Sequence, residues 1–148
     1  MMPVLMTLLF LVNAAVAKRL NPECSNVERA GIDVIIDSQN NTVDTLFELH
    51  QKIEKCSAMD GYIAEGFQDL SNRLLAENWK MVVKSEYLND QKFRSAVLMT
   101  ISDGSGKNVF NELCANAKDH PKLNSKFAEE VSKKCVETEE WIRKELKK

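Results

Sequence analysis

Histidine is almost missing from this chain: His50 and His120 are the only two in 148 residues. A Ser or Cys nucleophile needs a base to take its proton, so this scarcity leaves little catalytic machinery to assemble. His50 falls on the apolar stripe of a predicted helix and reads as a core or boundary residue. His120 precedes Pro121 and reads as an exposed residue at a helix start. No G-x-S-x-G elbow occurs, and neither does the His-Asp pair amid clustered cysteines of secreted phospholipases. No C-x-x-C occurs either. The gaps between Cys24, Cys56, Cys114 and Cys135 are 31, 57 and 20 residues, whereas zinc ligands come in close pairs. No metal, cofactor or catalytic residue is expected, and the chain reads as non-enzymatic.

Glycine and proline are scarce too, at five and three residues. Runs of β-branched residues with period-two alternation are absent. Apolar residues recur at spacings of three and four instead, which argues for amphipathic helices throughout. Charge of one sign is lacking: 20 basic and 22 acidic residues are mixed along the chain, for a net charge of −2. That balance supplies no global field for nucleic acid or an anionic membrane.

What is present starts with residues 1–17. Leu5 to Val12 form an apolar run broken only by Thr7. Ala15-Val16-Ala17 follows as a small-x-small pattern, and Lys18-Arg19 makes an abrupt polar start. This reads as a secretory signal removed after Ala17. The run is too short for a membrane span, which needs about 20 apolar residues. The remaining residues, 18–148, have the length of one domain able to bury a core of its own. The expected location is extracellular.

Outside the cell, four cysteines predict two disulfides. Cys24 and Cys56 each lie 16 residues from Asn40, so an antiparallel helix hairpin turning there would bring them level. That leaves Cys114 with Cys135. These lie six and fifteen residues from the turn at His120, a mismatch of about 13 Å at 1.5 Å per residue. The pairing therefore requires a steep crossing or a longer connection. Asn40-Asn41-Thr42 is a glycosylation sequon, which places Asn40 on a surface loop if used.

The helices follow from the stripes. Ser25-x-x-Glu28 has the form of a capping box, and Val27, Ala30, Val34 and Ile35 stripe the helix behind it. A second helix spans about 42–56, with Val43, Leu46, Phe47, His50, Ile53 and Cys56 on one face. Ser57-x-x-Asp60 caps a third, expected to run unbroken over about 60–85 with Tyr62, Ile63, Phe67, Leu70, Leu74, Met81 and Val82 inward. Gly66 inside it suits a close helix–helix approach. A short helix spans about 90–101, with Phe93, Val97, Leu98 and Ile101. A fifth covers about 107–117, with Val109, Phe110, Leu113, Cys114 and Ala117. The last runs over about 122–147, with Leu123, Phe127, Val131, Cys135, Ile142 and Leu146.

Asp103-Gly104-Ser105-Gly106-Lys107-Asn108 is a plain interhelical loop. It fails as a phosphate-binding loop because Ile101 replaces the first glycine, and as a calcium loop because Cys114 stands where Glu is needed. Glu129-Glu130 and Glu139-Glu140 sit on a Lys-rich solvated face and read as surface charge.

Chemistry then rests on apolar surface. Phe67, Trp79, Met81 and Trp141 are the candidate pocket or interface residues; both tryptophans fall at the edge of their stripes, where boundary positions lie. Six short helices with four cysteines resemble, at the level of class, the four-cysteine odorant-binding proteins of insects. Small helical cytokines share the compartment, size and two-disulfide habit. No motif ties the chain to either. The expectation is an all-α, irregular bundle of five or six short helices stapled by two disulfides. It would bind a small lipophilic ligand between helices or, alternatively, engage a receptor or other protein through a helix face.

Overall fold

The computed structural model describes residues 42–56 and 61–147, with backbone alone at Gly61 and Tyr62. The expectations for residues 1–17, the first helix behind Ser25, Cys24, Asn40 and the Ser57-x-x-Asp60 cap lie outside the described residues. Every described element is helical.

Helix α1 is Val43–Cys56. Thr42 starts it by accepting the Thr45 N–H on its hydroxyl at 3.2 Å. The expected stripe is inward: Val43, Leu46, His50 and Ile53 are buried, joined by Leu49. Phe47 is half-buried and stacks on Tyr87, with centroids 4.2 Å apart. The Tyr87 hydroxyl donates to Asp44 Oδ1 at 2.6 Å. That bond holds Tyr87 in its neutral form and raises its pKa above the ordinary value.

The unbroken helix expected over 60–85 is two helices, α2 (Gly61–Glu77) and α3 (Trp79–Lys84). Asn78 leaves the helical region at φ −128°, ψ 36°. A side chain from elsewhere takes up the carbonyls that the break frees. In a continuous helix the carbonyls of Leu75 and Ala76 would accept from residues 79 and 80. Here both accept from Asn116 Nδ2, at 3.1 and 2.7 Å. The break resets the helical phase. Trp79, Val82 and Val83 turn inward, and Met81, expected on the stripe, is 51% exposed.

A 3-10 turn, Glu86–Asn89, fills the lapse in the pattern. Asp90 then caps α4 (Gln91–Met99), accepting the N–H groups of Lys92 and Phe93. These bonds, the one from Phe93 foremost, hold the Asp90 carboxyl below its ordinary pKa. A second 3-10 turn, Asp103–Ser105, leads into α5 (Lys107–Asp119). A third, Pro121–Leu123, leads into α6 (Ser125–Glu145). The last helix begins three residues later than expected because Asn124 lies outside the helical region and caps it, accepting the Phe127 N–H at 3.2 Å. Leu123, expected inside, is 37% exposed as a result.

Helix α2 lies at the centre and packs chiefly on α5, with α1 on its other flank; α6 covers α5, and α4 bridges α1 and α6. Phe67, Phe93 and Phe127 are fully buried at the heart of the core. Arg94 ties α4 to α6 through Glu130, Nε to Oε2 at 2.7 Å, with its guanidinium 5.8 Å from the Phe127 ring centre.

Cys114 and Cys135 are bonded, with Cα atoms 5.9 Å apart. They meet across a connection in which the chain leaves α5 at Asp119, makes the Pro121–Leu123 turn, and enters α6 only at Ser125. This is the one disulfide among the described residues, against the two expected. Cys56 is not a free thiol, and Cys24, its expected partner, lies outside the described range.

Candidate functional site

The four candidate residues do not meet at one place. Phe67 is wholly buried and faces the His50 ring, so it fills the core rather than lining an accessible pocket. His50 itself is buried, edge-on to Phe93 at 5.5 Å. Trp79, expected at a boundary, is 3% exposed. The break at Asn78 aims it inward, where it stacks on Phe127 with centroids 6.2 Å apart. Its indole N–H is sealed from solvent with no acceptor among the described residues.

Trp79 and Met81 do share one wall of an open groove of about 460 Å³, completed by Glu77, Glu112, Asn116 and His120. Asn116 is committed there to the end of α2. His120 is exposed, as expected for the residue before Pro121.

Trp141 stands apart, on the C-terminal half of α6, and is 60% exposed. Val136 and Leu146, toward the same end of the chain, are 53% and 83% exposed. A second groove of about 440 Å³ lies between α5 and the end of α6, lined by Phe110, Ile142 and Leu146, with Asp103, Lys107, Glu139 and Arg143 around it; Trp141 is on the other side of α6. Residue spacing explains the groove. Counted from the disulfide, α6 continues ten residues to Glu145, whereas α5 reaches back seven to Lys107. Ile142, seven residues past Cys135, is level with the start of α5 and half-buried, whereas Leu146 lies beyond the helix that covers the stripe and comes to the surface.

By their spacing Phe110, Ile142 and Leu146 all read as core. The signal for the groove is the continuation of the α6 stripe beyond the length of its partner.

No family model, curated protein or solved structure matches this chain.

The carboxylates around α6 have structural work. Glu130 holds Arg94. Glu137 accepts from Lys134 at 2.9 Å, and that bond lowers its pKa. Glu139 stands 3.9 Å from Arg143. Among the described residues, no three His, Cys, Asp or Glu side chains gather as metal ligands, and no helix is long and apolar enough to cross a membrane. At about 440 Å³ the α5–α6 groove is within the size range of small-molecule sites. Its apolar floor and mixed charged rim suit a contact that buries apolar surface and orients it with charge.

Proposed function

We propose that this is a secreted, non-enzymatic helical protein whose work is binding, and that it engages another protein through the exposed end of α6. The observation that carries this reading is the exposed end of α6, where Leu146 borders the Phe110–Ile142–Leu146 groove and Trp141 stands exposed on the other side of the helix. An exposed tryptophan is the kind of anchor that dominates protein interfaces. The filled interior around Phe67 supports an external contact over a ligand enclosed by the bundle. Secretion rests on the signal pattern of residues 1–17 and agrees with the Cys114–Cys135 disulfide. A second disulfide, Cys24–Cys56, and a glycan on Asn40 belong to the same reading.

The α5–α6 groove also supports a second reading, a small lipophilic ligand. It would lie along Phe110, Ile142 and Leu146 with a polar end near Lys107 and Arg143.

Two experiments separate these readings. Native mass spectrometry of the protein secreted by eukaryotic cells, repeated after denaturation without reductant, detects a small ligand as excess mass that vanishes on denaturation. That result favours the second reading. A photoreactive residue at position 136 tests the first. A cross-linked partner displaced by unlabelled protein, but not by the Trp141→Ala, Leu146→Ala double variant, supports it. Displacement by that variant as effective as by the parent protein sinks it.

A further inference from the structure

We propose that Ser102–Gly106 is a polar latch on α2 that opens by local unfolding of the turn while the helices stay folded, and that its opening reshapes the α5–α6 groove. Four observations carry this.

First, apolar packing does not hold the segment. Ile101 and Phe110 on either side of it are buried, but no residue from 102 to 106 is. What holds it is a few polar contacts. Gln68 Nε2 donates to Ser102 Oγ at 2.8 Å. Asn72 Nδ2 reaches Ser102 O at 3.3 Å and Ser105 Oγ at 3.4 Å, both at the long end of the hydrogen-bond range.

Second, the closed latch carries a cost. Asn72 is fully buried, and its Oδ1 has no hydrogen-bond partner among the described residues. A buried acceptor without a donor is unfavourable, and water admitted by opening would satisfy it. The unpaired oxygen thus offsets part of what the three contacts contribute to closure.

Third, side chains do not fasten the segment where it joins α5. Gly106 sits at φ +101°, a conformation that side chains disfavour, and a Cβ placed there would meet nothing within 4 Å. At Gly104, within the turn, the fit is close, because a Cβ there would collide with the Gln68 amide. The turn is therefore seated at its tip on α2, while at Gly106 backbone bonds alone, its N–H to Asp103 O and its carbonyl from the Phe110 N–H, join it to α5.

Fourth, the latch borders the groove. Asp103 belongs to the turn and Lys107 follows it, and both line the cleft with Phe110, Ile142 and Leu146. Lifting the turn moves one wall. The latch rests on the hydrogen bonds alone and stands whatever binds the groove.

Native-state hydrogen exchange on the whole chain tests this, with Gln68→Ala as the variant. The amides of Gly104, bonded to Ser102 Oγ, and Gly106, bonded to Asp103 O, report the turn. Those of Leu113 and Val131, in buried helix, report global unfolding. In the parent protein the turn amides should exchange through an opening that leaves Leu113 and Val131 protected. Gln68→Ala should speed the turn amides by about fivefold to tenfold, the loss of one net hydrogen bond, without speeding the core amides. The methyl signals of Ile142 and Leu146 should shift with it. Turn amides that exchange only at the global rate, or a variant that speeds all four amides equally, would overturn the latch. Faster turn exchange with unmoved methyl signals would overturn its link to the groove.

Discussion

Asn116 on α5 clamps the end of α2: its Nδ2 donates to the carbonyls of both Leu75 and Ala76, at 3.1 and 2.7 Å. Helix ends leave carbonyls without intrahelical partners, and a buried end needs substitutes. One amide supplies two here, at the break before Trp79. Asn116→Ala should therefore destabilise the protein by about 1–3 kcal/mol, the cost of stranding part-buried acceptors. Urea unfolding with an unchanged m-value is the measurement. Asn111, exposed on the same helix, supplies the control. An Asn116→Ala loss no larger than that of Asn111→Ala would refute the clamp.

Asp90 makes stability depend on pH in the acid range. Its carboxylate accepts the N–H groups of Phe93 and Lys92, so its pKa is lower in the folded chain than in the unfolded one. The unfolded state therefore binds more protons between the two values. The contribution is complete above the ordinary carboxylate value and is lost as pH falls through the folded value. Asp90→Asn keeps an oxygen cap that does not titrate. Stability measured against pH should fall less steeply for Asp90→Asn than for the parent in that window. Identical slopes would show that the cap carries no linkage.

The two tryptophans should behave oppositely. Trp79 is 3% exposed and Trp141 60%. Trp79→Ala should cost about 3–5 kcal/mol, as for large core truncations, whereas Trp141→Ala should change stability by no more than about 0.5 kcal/mol. Acrylamide should quench the fluorescence of Trp79→Phe, which retains Trp141, far more than that of Trp141→Phe. Equal quenching would contradict the inward turn of α3.

Cys114 and Cys135 close a loop with a sequence separation of 21. Replacing both by Ala should cost about 3 kcal/mol, chiefly through the greater freedom of the unfolded chain. Chemical denaturation of the double variant, with the other cysteines left oxidised, measures it. A loss below about 1 kcal/mol would mean that the α5–α6 contact is held by packing alone.

Most helices are legible in the sequence because their stripes are local. Val43, Leu46, His50 and Ile53 show the α1 face within one window, and Phe110, Leu113 and Ala117 do the same for α5. The division of α2 from α3 is not legible, because the side chain that satisfies the freed carbonyls lies forty and forty-one residues from them. The phase of Trp79 and Met81 is lost with it. At the candidate site, the exposure of Trp141 follows from its place at the flank of a stripe. Ile142 and Leu146 sit on the stripe itself and read as core. The relative lengths of α5 and α6 about the disulfide are what bring Leu146 to the surface.

The Asp103–Ser105 turn also divides the covalent structure. Exposed turns of small polar residues are where proteases cut most readily. A single cut there would leave Cys114 and Cys135 together in the second piece, a self-stapled helical hairpin, and Cys24 and Cys56 together in the first. No disulfide would join the pieces. They would be held by the packing of α2 on α5, so this chain has the layout of two complementary fragments that could be separated and recombined without breaking a sulfur bond.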